Sequence, residues 1–138
     1  MQHTPPAWVA PGSMFFLTLC CEIRGQNQLC LPAAAEIQFA AARHYHENHD
    51  WFLRLMLLMP DHLHALIAPA PDRKLHELVG NWKRFVTGKT GIGWQKNFFD
   101  HRLRSAESWE EKAAYIRANP VRAGLMGENE TWPYQIQH

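Results

Sequence analysis

The sequence lacks long hydrophobic runs, a cysteine framework and a strong charge of either sign. No apolar run approaches the roughly 18 residues that a membrane-spanning helix needs, so we expect no membrane insertion. The three cysteines, Cys20, Cys21 and Cys30, are odd in number and two are adjacent, which argues against disulfides and predicts buried thiols. Residues 1–11 lack a basic segment followed by an apolar one, so we expect no secretion signal and a cytoplasmic protein.

The composition is that of one globular domain. The chain has 138 residues, of which 46% are hydrophobic and 20% are charged. This size provides one hydrophobic core and leaves no room for a second. We therefore expect a single domain over residues 1–138, with short tails at both ends.

The hydrophobic pattern predicts an alternation of strands and helices. Short apolar runs indicate strands at 14–21, 51–58 and 62–68, and an extended segment at 95–103. Apolar residues at helical spacing indicate helices at 33–48 and 75–87, with a loop over 88–93. Ser108 and Glu111 form a capping-box pattern that opens a helix to about residue 118. This order predicts an α+β fold, in which helices pack on an antiparallel sheet in a ferredoxin-like or RRM-like arrangement.

The positive charge is concentrated in residues 81–105, which carry six Lys or Arg and one acid, against eight and twelve elsewhere. Five aromatic residues are interleaved with these cations. Cations neutralise phosphates and aromatic faces stack on bases, so the stretch is typical of a nucleic-acid surface. The alternative is a solvated face whose aromatics point into the core. The candidate DNA contacts are Lys83, Arg84, Lys89, Arg102 and Arg104.

His62 and His64 are two residues apart on a predicted strand, so both imidazoles project from one face while Leu63 faces the other. Two neighbouring imidazoles provide half of a divalent-metal site. The alternative is a surface or hydrogen-bonded pair. A histidine-triad phosphodiesterase is excluded because Leu66 occupies the position of the third histidine.

Tyr115 and Asn119 lie one turn apart on the predicted C-terminal helix, so a phenol and an amide share one side of it. Each has a structural alternative. A helical tyrosine often only packs, and Asn119 before Pro120 is suited to cap a following turn.

Three sequence blocks together resemble a known family. Residues 59–67 (MPDHLHALI) resemble the MPNHVHLLI motif of single-tyrosine HUH transposases. Residues 98–105 (FFDHRLRS) resemble the FYDHxIRS block of the REP-associated tyrosine transposases, and residues 115–125 (YIRANPVRAGL) resemble their YIHNNPVRAGL block. The resemblance spans about residues 14–134.

The resemblance implies the HUH endonuclease fold and a metal-dependent transposase. It implies that His62, His64 and Asn119 bind Mg²⁺ or Mn²⁺ and that Tyr115 is the nucleophile, which forms a 5′-phosphotyrosine. It also implies single-stranded or hairpin-forming repetitive DNA as the partner and favours a monomer over a homodimer. Asp61 departs from the family pattern, which has Asn before the first histidine, and Asn119 stands where Gln or His is frequent.

A second hypothesis remains open from the residues themselves. An RRM-like fold with a basic, aromatic stretch also describes a nucleic-acid-binding module without catalysis. In that case His62 and His64 have no catalytic role. Formation of a covalent protein–DNA adduct discriminates the two hypotheses.

Overall fold

The computed structural model describes residues 5–104 and 106–138. Within these residues the chain forms five strands and four helices. The strands are β1 (Phe15–Cys20), β2 (Trp51–Leu58), β3 (His62–Pro69), β4 (Phe99–Arg102) and β5 (Gln135–Gln137). The helices are α1 (Pro32–Glu47), α2 (Leu75–Thr90), α3 (Ala106–Arg117) and α4 (Asn119–Arg122).

The five strands form one antiparallel sheet in the order β4-β1-β3-β2-β5. Strands β2 and β3 are a hairpin, and β1 pairs with β3 on its other side. Every residue of β2 is buried, as its apolar sequence, interrupted only by Arg54, predicts for a central strand. The predicted α+β class, an antiparallel sheet with helices packed on it, is confirmed.

Helices α1 and α2 cover one face of the sheet. The indole nitrogen of Trp51 in β2 donates to the Ala42 carbonyl of α1 at 3.1 Å, and that of Trp82 in α2 donates to the Gln38 carbonyl of α1 at 3.3 Å. Between the helices and the sheet lie the odd-numbered residues of β1 and β3, including Leu17 and Leu63. This layer is entirely apolar on the strand side.

Helix α3 lies over the opposite face. A β-bulge between Leu53 and Leu55 leaves Arg54 as the extra residue of β2. The Arg54 guanidinium is buried and donates to the Glu110 carboxylate of α3 at 2.7 Å. Lys112, also in α3, lies over the Phe16 ring of β1. The helix that carries Tyr115 is therefore held on the face that receives the even-numbered residues of β1 and β3.

Several predicted boundaries were wrong. Helix α3 begins at Ala106, so Ser108 lies inside its first turn and does not cap it. Helix α2 continues through Gly88 to Thr90, because buried Val86 anchors its last turn and Gly91, with φ of 78°, ends it in the left-handed conformation. The extended segment expected over 95–103 is a strand only at β4.

Strand β5 was not predicted and was taken as part of a tail. Its three residues carry too little pattern to indicate a strand, and pairing with the edge of β2 creates it. Among residues 5–104 and 106–138, no helix combines the length and the apolar composition that crossing a bilayer requires.

Candidate active site

The two histidines project from β3 toward α3. His62 pairs across the sheet with Cys20, and His64 pairs with Thr18. Their ring centroids are 5.1 Å apart and the rings are nearly perpendicular. The structure thus places both imidazoles on one face, as their spacing predicts, and Leu63 between them is buried on the other face.

His62 is oriented by the neighbouring carboxylate. Its Nδ1 donates to Oδ1 of Asp61 at 2.9 Å, while Oδ2 of Asp61 accepts from the Arg24 guanidinium at 2.9 Å and from the Gly25 amide at 2.8 Å. Burial opposes ionisation of Asp61, but these three hydrogen bonds outweigh it and hold its pKa well below the usual range. Asp61 is therefore an acceptor that fixes the His62 proton on Nδ1. The lone pair of Nε2 remains available for a metal ion.

His64 has an equivalent arrangement. Its Nδ1 lies 3.0 Å from the Thr18 hydroxyl oxygen, to which it donates when the proton is on Nδ1. The ring stacks on Phe16 at a centroid distance of 5.5 Å. Burial, and to a smaller extent electrostatic interaction with the neighbouring His62 and Arg122, lowers the pKa of His64 to about 4. The imidazole is neutral at physiological pH, which is the form that binds metal.

These contacts fit a divalent cation held by two Nε2 atoms. Within residues 5–104 and 106–138, no group of three His, Cys, Asp or Glu side chains is arranged to hold a metal ion. The third ligand that the sequence predicts is of another type, the amide of Asn119. Asn119 is the first residue of α4, and its Oδ1 accepts from Arg122 Nη2 at 3.4 Å. Its role as a ligand stays a prediction.

Tyr115 is held between two cations. Its side chain is 53% exposed on α3. The Lys112 ammonium lies 5.1 Å from the centroid of its ring, and the Arg122 guanidinium carbon lies 4.1 Å from it. Lys112 also lies 5.0 Å from the Phe16 ring, the ring on which His64 stacks. The contacts therefore connect the tyrosine with the histidine pair.

Arg122 was missed by the sequence reasoning. It lies in α4 beyond Pro120, so no continuous helical spacing relates it to Tyr115. Its guanidinium donates to the Tyr115 carbonyl at 2.8 Å, which fixes the arginine over the phenol. The turn between α3 and α4 thus delivers a second cation to the same site.

The predicted DNA contacts divide into two groups. Lys83, Arg84 and Lys89 are in α2, on the sheet face opposite the histidines. Lys83 donates to the Gln95 carbonyl at 3.1 Å and burial lowers its pKa, while Arg84 donates to the Asn81 side chain. Lys89 lies 5.8 Å from the Phe85 ring centroid. These contacts favour a structural role for part of the stretch.

Arg102 and Arg104 lie at the edge of the sheet next to β1. Arg102 is exposed, pairs across the strands with Phe15, and lies 5.3 Å from the centroid of that ring. Arg104 is exposed just after β4. Phe15 is an odd-numbered residue of β1, so Arg102 points to the α1 and α2 face, opposite the histidines, although its strand lies next to β1.

The chain resembles curated and solved proteins along most of its length. The REP-associated tyrosine transposase of Escherichia coli K12 is 22% identical over 92% of this chain and 78% of that protein. A protein of Haemophilus influenzae, provisionally given the same name, is 23% identical over 92% of this chain and 81% of its own. No family model matches the chain.

The fold has a solved counterpart. The structure of a REP-associated tyrosine transposase bound to a REP hairpin superposes with a TM-score of 0.78 at 21% identity, covering 98% of this chain and 82% of that one. The resemblance indicated by the three sequence blocks is thus confirmed by relatives of that name and by a solved structure with the same fold. The chain is a relative, in sequence and in fold, of the REP-associated tyrosine transposases.

Proposed function

We propose that this protein cleaves single-stranded DNA and transfers the cleaved strand through a covalent tyrosine intermediate. The observation that carries the proposal is the position of the Tyr115 phenol between Lys112 and Arg122, on contacts that lead through Phe16 to His64. Two imidazoles with free Nε2 atoms, beside an exposed phenol and two cations, are suited to phosphoryl transfer.

In the proposed step, the Tyr115 hydroxyl oxygen attacks the scissile phosphorus. A bond from that oxygen to phosphorus forms, the bond from phosphorus to O3′ breaks, and the phenol proton is ultimately transferred to the released 3′-hydroxyl. The product is a 5′-phosphotyrosine that retains the phosphodiester energy, so a second 3′-hydroxyl can reverse the step on another strand without ATP. Lys112 and Arg122 stabilise the developing charge on the phenol and the phosphate oxygens.

His62 and His64, with Asn119 as the proposed third ligand, would hold Mg²⁺ or Mn²⁺. When bound, such an ion polarises the scissile phosphate and neutralises charge on its oxygens. Asp61 keeps His62 in the tautomer that this role requires, and the Thr18 hydroxyl can accept the Nδ1 proton of His64 in the same tautomer.

The proposed substrate is single-stranded DNA next to a hairpin from a repetitive element. A related protein of the same fold is described as bound to a REP hairpin, which supports this choice. The proposed phosphate contacts are Arg102 and Arg104 at the edge of the sheet and Lys83, Arg84 and Lys89 in α2. Arg102 points to the far face, as the α2 group does. Because Tyr115 contacts residues beside the histidines of its own chain, we propose that a monomer is active.

The substitution Tyr115→Phe tests the proposal. It removes one exposed oxygen, so the fold and the DNA affinity should remain, while the covalent adduct should fall below detection. The measurement is a denaturing gel of labelled hairpin oligonucleotide, taken from sequence flanking the gene, incubated with protein and Mn²⁺.

Tyr45→Phe and Tyr134→Phe are the matched controls. Tyr45 packs edge-on against Trp51 and Tyr134 packs against Trp132, and both variants should keep the adduct. An adduct that survives in Tyr115→Phe and disappears in either control contradicts the assignment of the nucleophile. Binding without an adduct in every protein, the wild type included, favours the non-catalytic binding module.

A further inference from the structure

Phe99 is an exposed aromatic residue on the face that carries the histidines. It lies in β4, the edge strand, and pairs across the sheet with Thr18, the residue that contacts His64. Partners directly opposite each other in an antiparallel sheet point to the same face. Its side chain is 56% exposed although it is large and apolar. The ring is therefore presented to solvent beside the proposed active site.

The exposed ring is the outer member of an aromatic series. Phe99 contacts Phe16 edge-on at a centroid distance of 5.9 Å, and Phe16 stacks on His64 at 5.5 Å. The ring of Phe16 is nearly buried and supports Phe99 from the side. Because the inner rings are packed, Phe99 is pre-oriented and loses little freedom when another ring stacks on it.

The surroundings of Phe99 favour a polyanion. His101 is exposed on the same face, where it pairs across the strands with Phe16. The Lys112 ammonium of α3 lies 5.0 Å from the centroid of the Phe16 ring. Asp100, the acid of β4, pairs with Leu17 and so points to the other face. An exposed aromatic ring on a sheet, with a lysine and an exposed imidazole nearby, is an arrangement by which single-stranded nucleic acids are held through stacking.

We propose that Phe99 is a stacking site for one nucleobase of the DNA strand, close to the phosphate that Tyr115 attacks. The proposal rests on the proposed function and adds a base-binding position to it. The ring holds the base, Lys112 holds a flanking phosphate, and the strand is thereby aligned over the histidines. Stacking on a ring without hydrogen-bonding groups tolerates any base, so this position favours single strands over duplex without reading their sequence.

Phe85 is a matched control. It is also a phenylalanine, 47% exposed, with Lys89 near its ring. It lies in α2, on the far side of the sheet from the histidines. Phe85→Ala and Phe99→Ala remove the same group from similarly exposed positions, so the two variants differ mainly in where the ring lies.

The test measures the affinity of wild type, Phe99→Ala, Phe99→Trp and Phe85→Ala for a hairpin oligonucleotide with a single-stranded flank. The flank is either intact or carries one abasic site at each position in turn. We expect Phe99→Ala to weaken binding by about 5- to 100-fold, Phe99→Trp to preserve it, and Phe85→Ala to leave it within about twofold. At one flank position, the abasic site should weaken the binding of wild type by a similar factor. The same abasic site should not weaken the binding of Phe99→Ala any further.

That non-additivity identifies a direct stack, since a merely structural defect would weaken all oligonucleotides equally. Equal losses at every position, or a Phe99→Ala affinity equal to wild type, overturn the proposal. Adduct formation is measured on the same samples. Absence of an adduct from wild type contradicts the proposed cleavage, whereas non-additivity in those samples still supports the stacking site.

Discussion

The two faces of the sheet carry different chemistry although they are built from the same strands. Toward α1 and α2, strands β1 and β3 present Leu17, Leu63 and other buried apolar side chains. Toward α3 the same strands present Thr18, His62 and His64. One face is covered by two helices of 16 residues each, and the other by a single helix of 12.

The difference shows how alternation along a strand separates stability from chemistry. Successive side chains point to opposite faces, so adjacent residues of β3 have unrelated tasks. The fully covered face supplies most of the apolar burial that stabilises the fold. The partly covered face can leave polar atoms accessible to a substrate because it carries little of that burial. Substitutions on the two faces should therefore have different consequences.

The largest effect should come from His62→Ala on the α3 face. We expect cleavage to fall below detection and calorimetric Mn²⁺ binding to be lost, because one of the two proposed imidazole ligands is removed. The free energy of unfolding should fall by only about 0.5–1.5 kcal/mol, through the lost hydrogen bond to Asp61, since the side chain is 21% exposed and lies outside the apolar core. EDTA should have the same effect on the wild type, and cleavage that persists in chelator would show that the metal assignment is wrong.

The opposite result is expected for Leu78→Ala in α2. Leu78 is fully buried, and its truncation should lower the free energy of unfolding by about 2–5 kcal/mol. Adduct formation per folded molecule should be unchanged. Urea denaturation and the gel assay measure the two quantities, with Leu78→Met as the control that keeps the volume. A selective loss of adduct in folded Leu78→Ala would contradict the separation of the faces.

The ion pair of Arg54 and Glu110 is an expected exception to this separation. Arg54 is a buried charge on the α3 face, so substitutions of the pair should change stability. Glu110→Ala should lower the free energy of unfolding by about 1–3 kcal/mol, since the buried guanidinium loses its carboxylate. Arg54→Met should cost less, because an apolar chain fills the same space without charge. Denaturation curves compare the variants. A larger cost for Arg54→Met than for Glu110→Ala would show that the ion pair itself stabilises the fold.

The smallest effect should come from Asp61→Asn, which restores the residue that the resembled motif carries. The amide oxygen can still accept from His62 Nδ1, but the negative charge behind the imidazole is lost. We expect Mn²⁺ affinity to fall about tenfold, the low end for residues that orient metal ligands. Calorimetric titration measures it, with Asp72→Asn as a control at an exposed position. Unchanged Mn²⁺ affinity would show that Asp61 does not support metal binding and that its role is to accept the hydrogen bonds from Arg24 and Gly25.

Much of this could be predicted from the chain alone, for identifiable reasons. The period-two pattern of His62, Leu63 and His64 determines that both imidazoles share a face, whatever the sheet order. The sequence of β2, apolar except for Arg54, predicted a central strand, and every residue of it is buried. By contrast, α2 was predicted to end at Thr87, because local propensity contains no information on the burial of Val86 in the core.

What the sequence determined by itself was therefore local: strand and helix identity and the alternation of faces. The predicted helix shared by Tyr115 and Asn119 is divided into α3 and α4. Only the tertiary structure decided which cations belong to the site. It placed Arg122 over Tyr115 and left Lys83, Arg84 and Lys89 on the far face, although the basic stretch is continuous in sequence. The physical reason is that charge and exposure are properties of surfaces. A surface is assembled from segments whose proximity depends on the order of strands in the sheet and on the face that each helix covers.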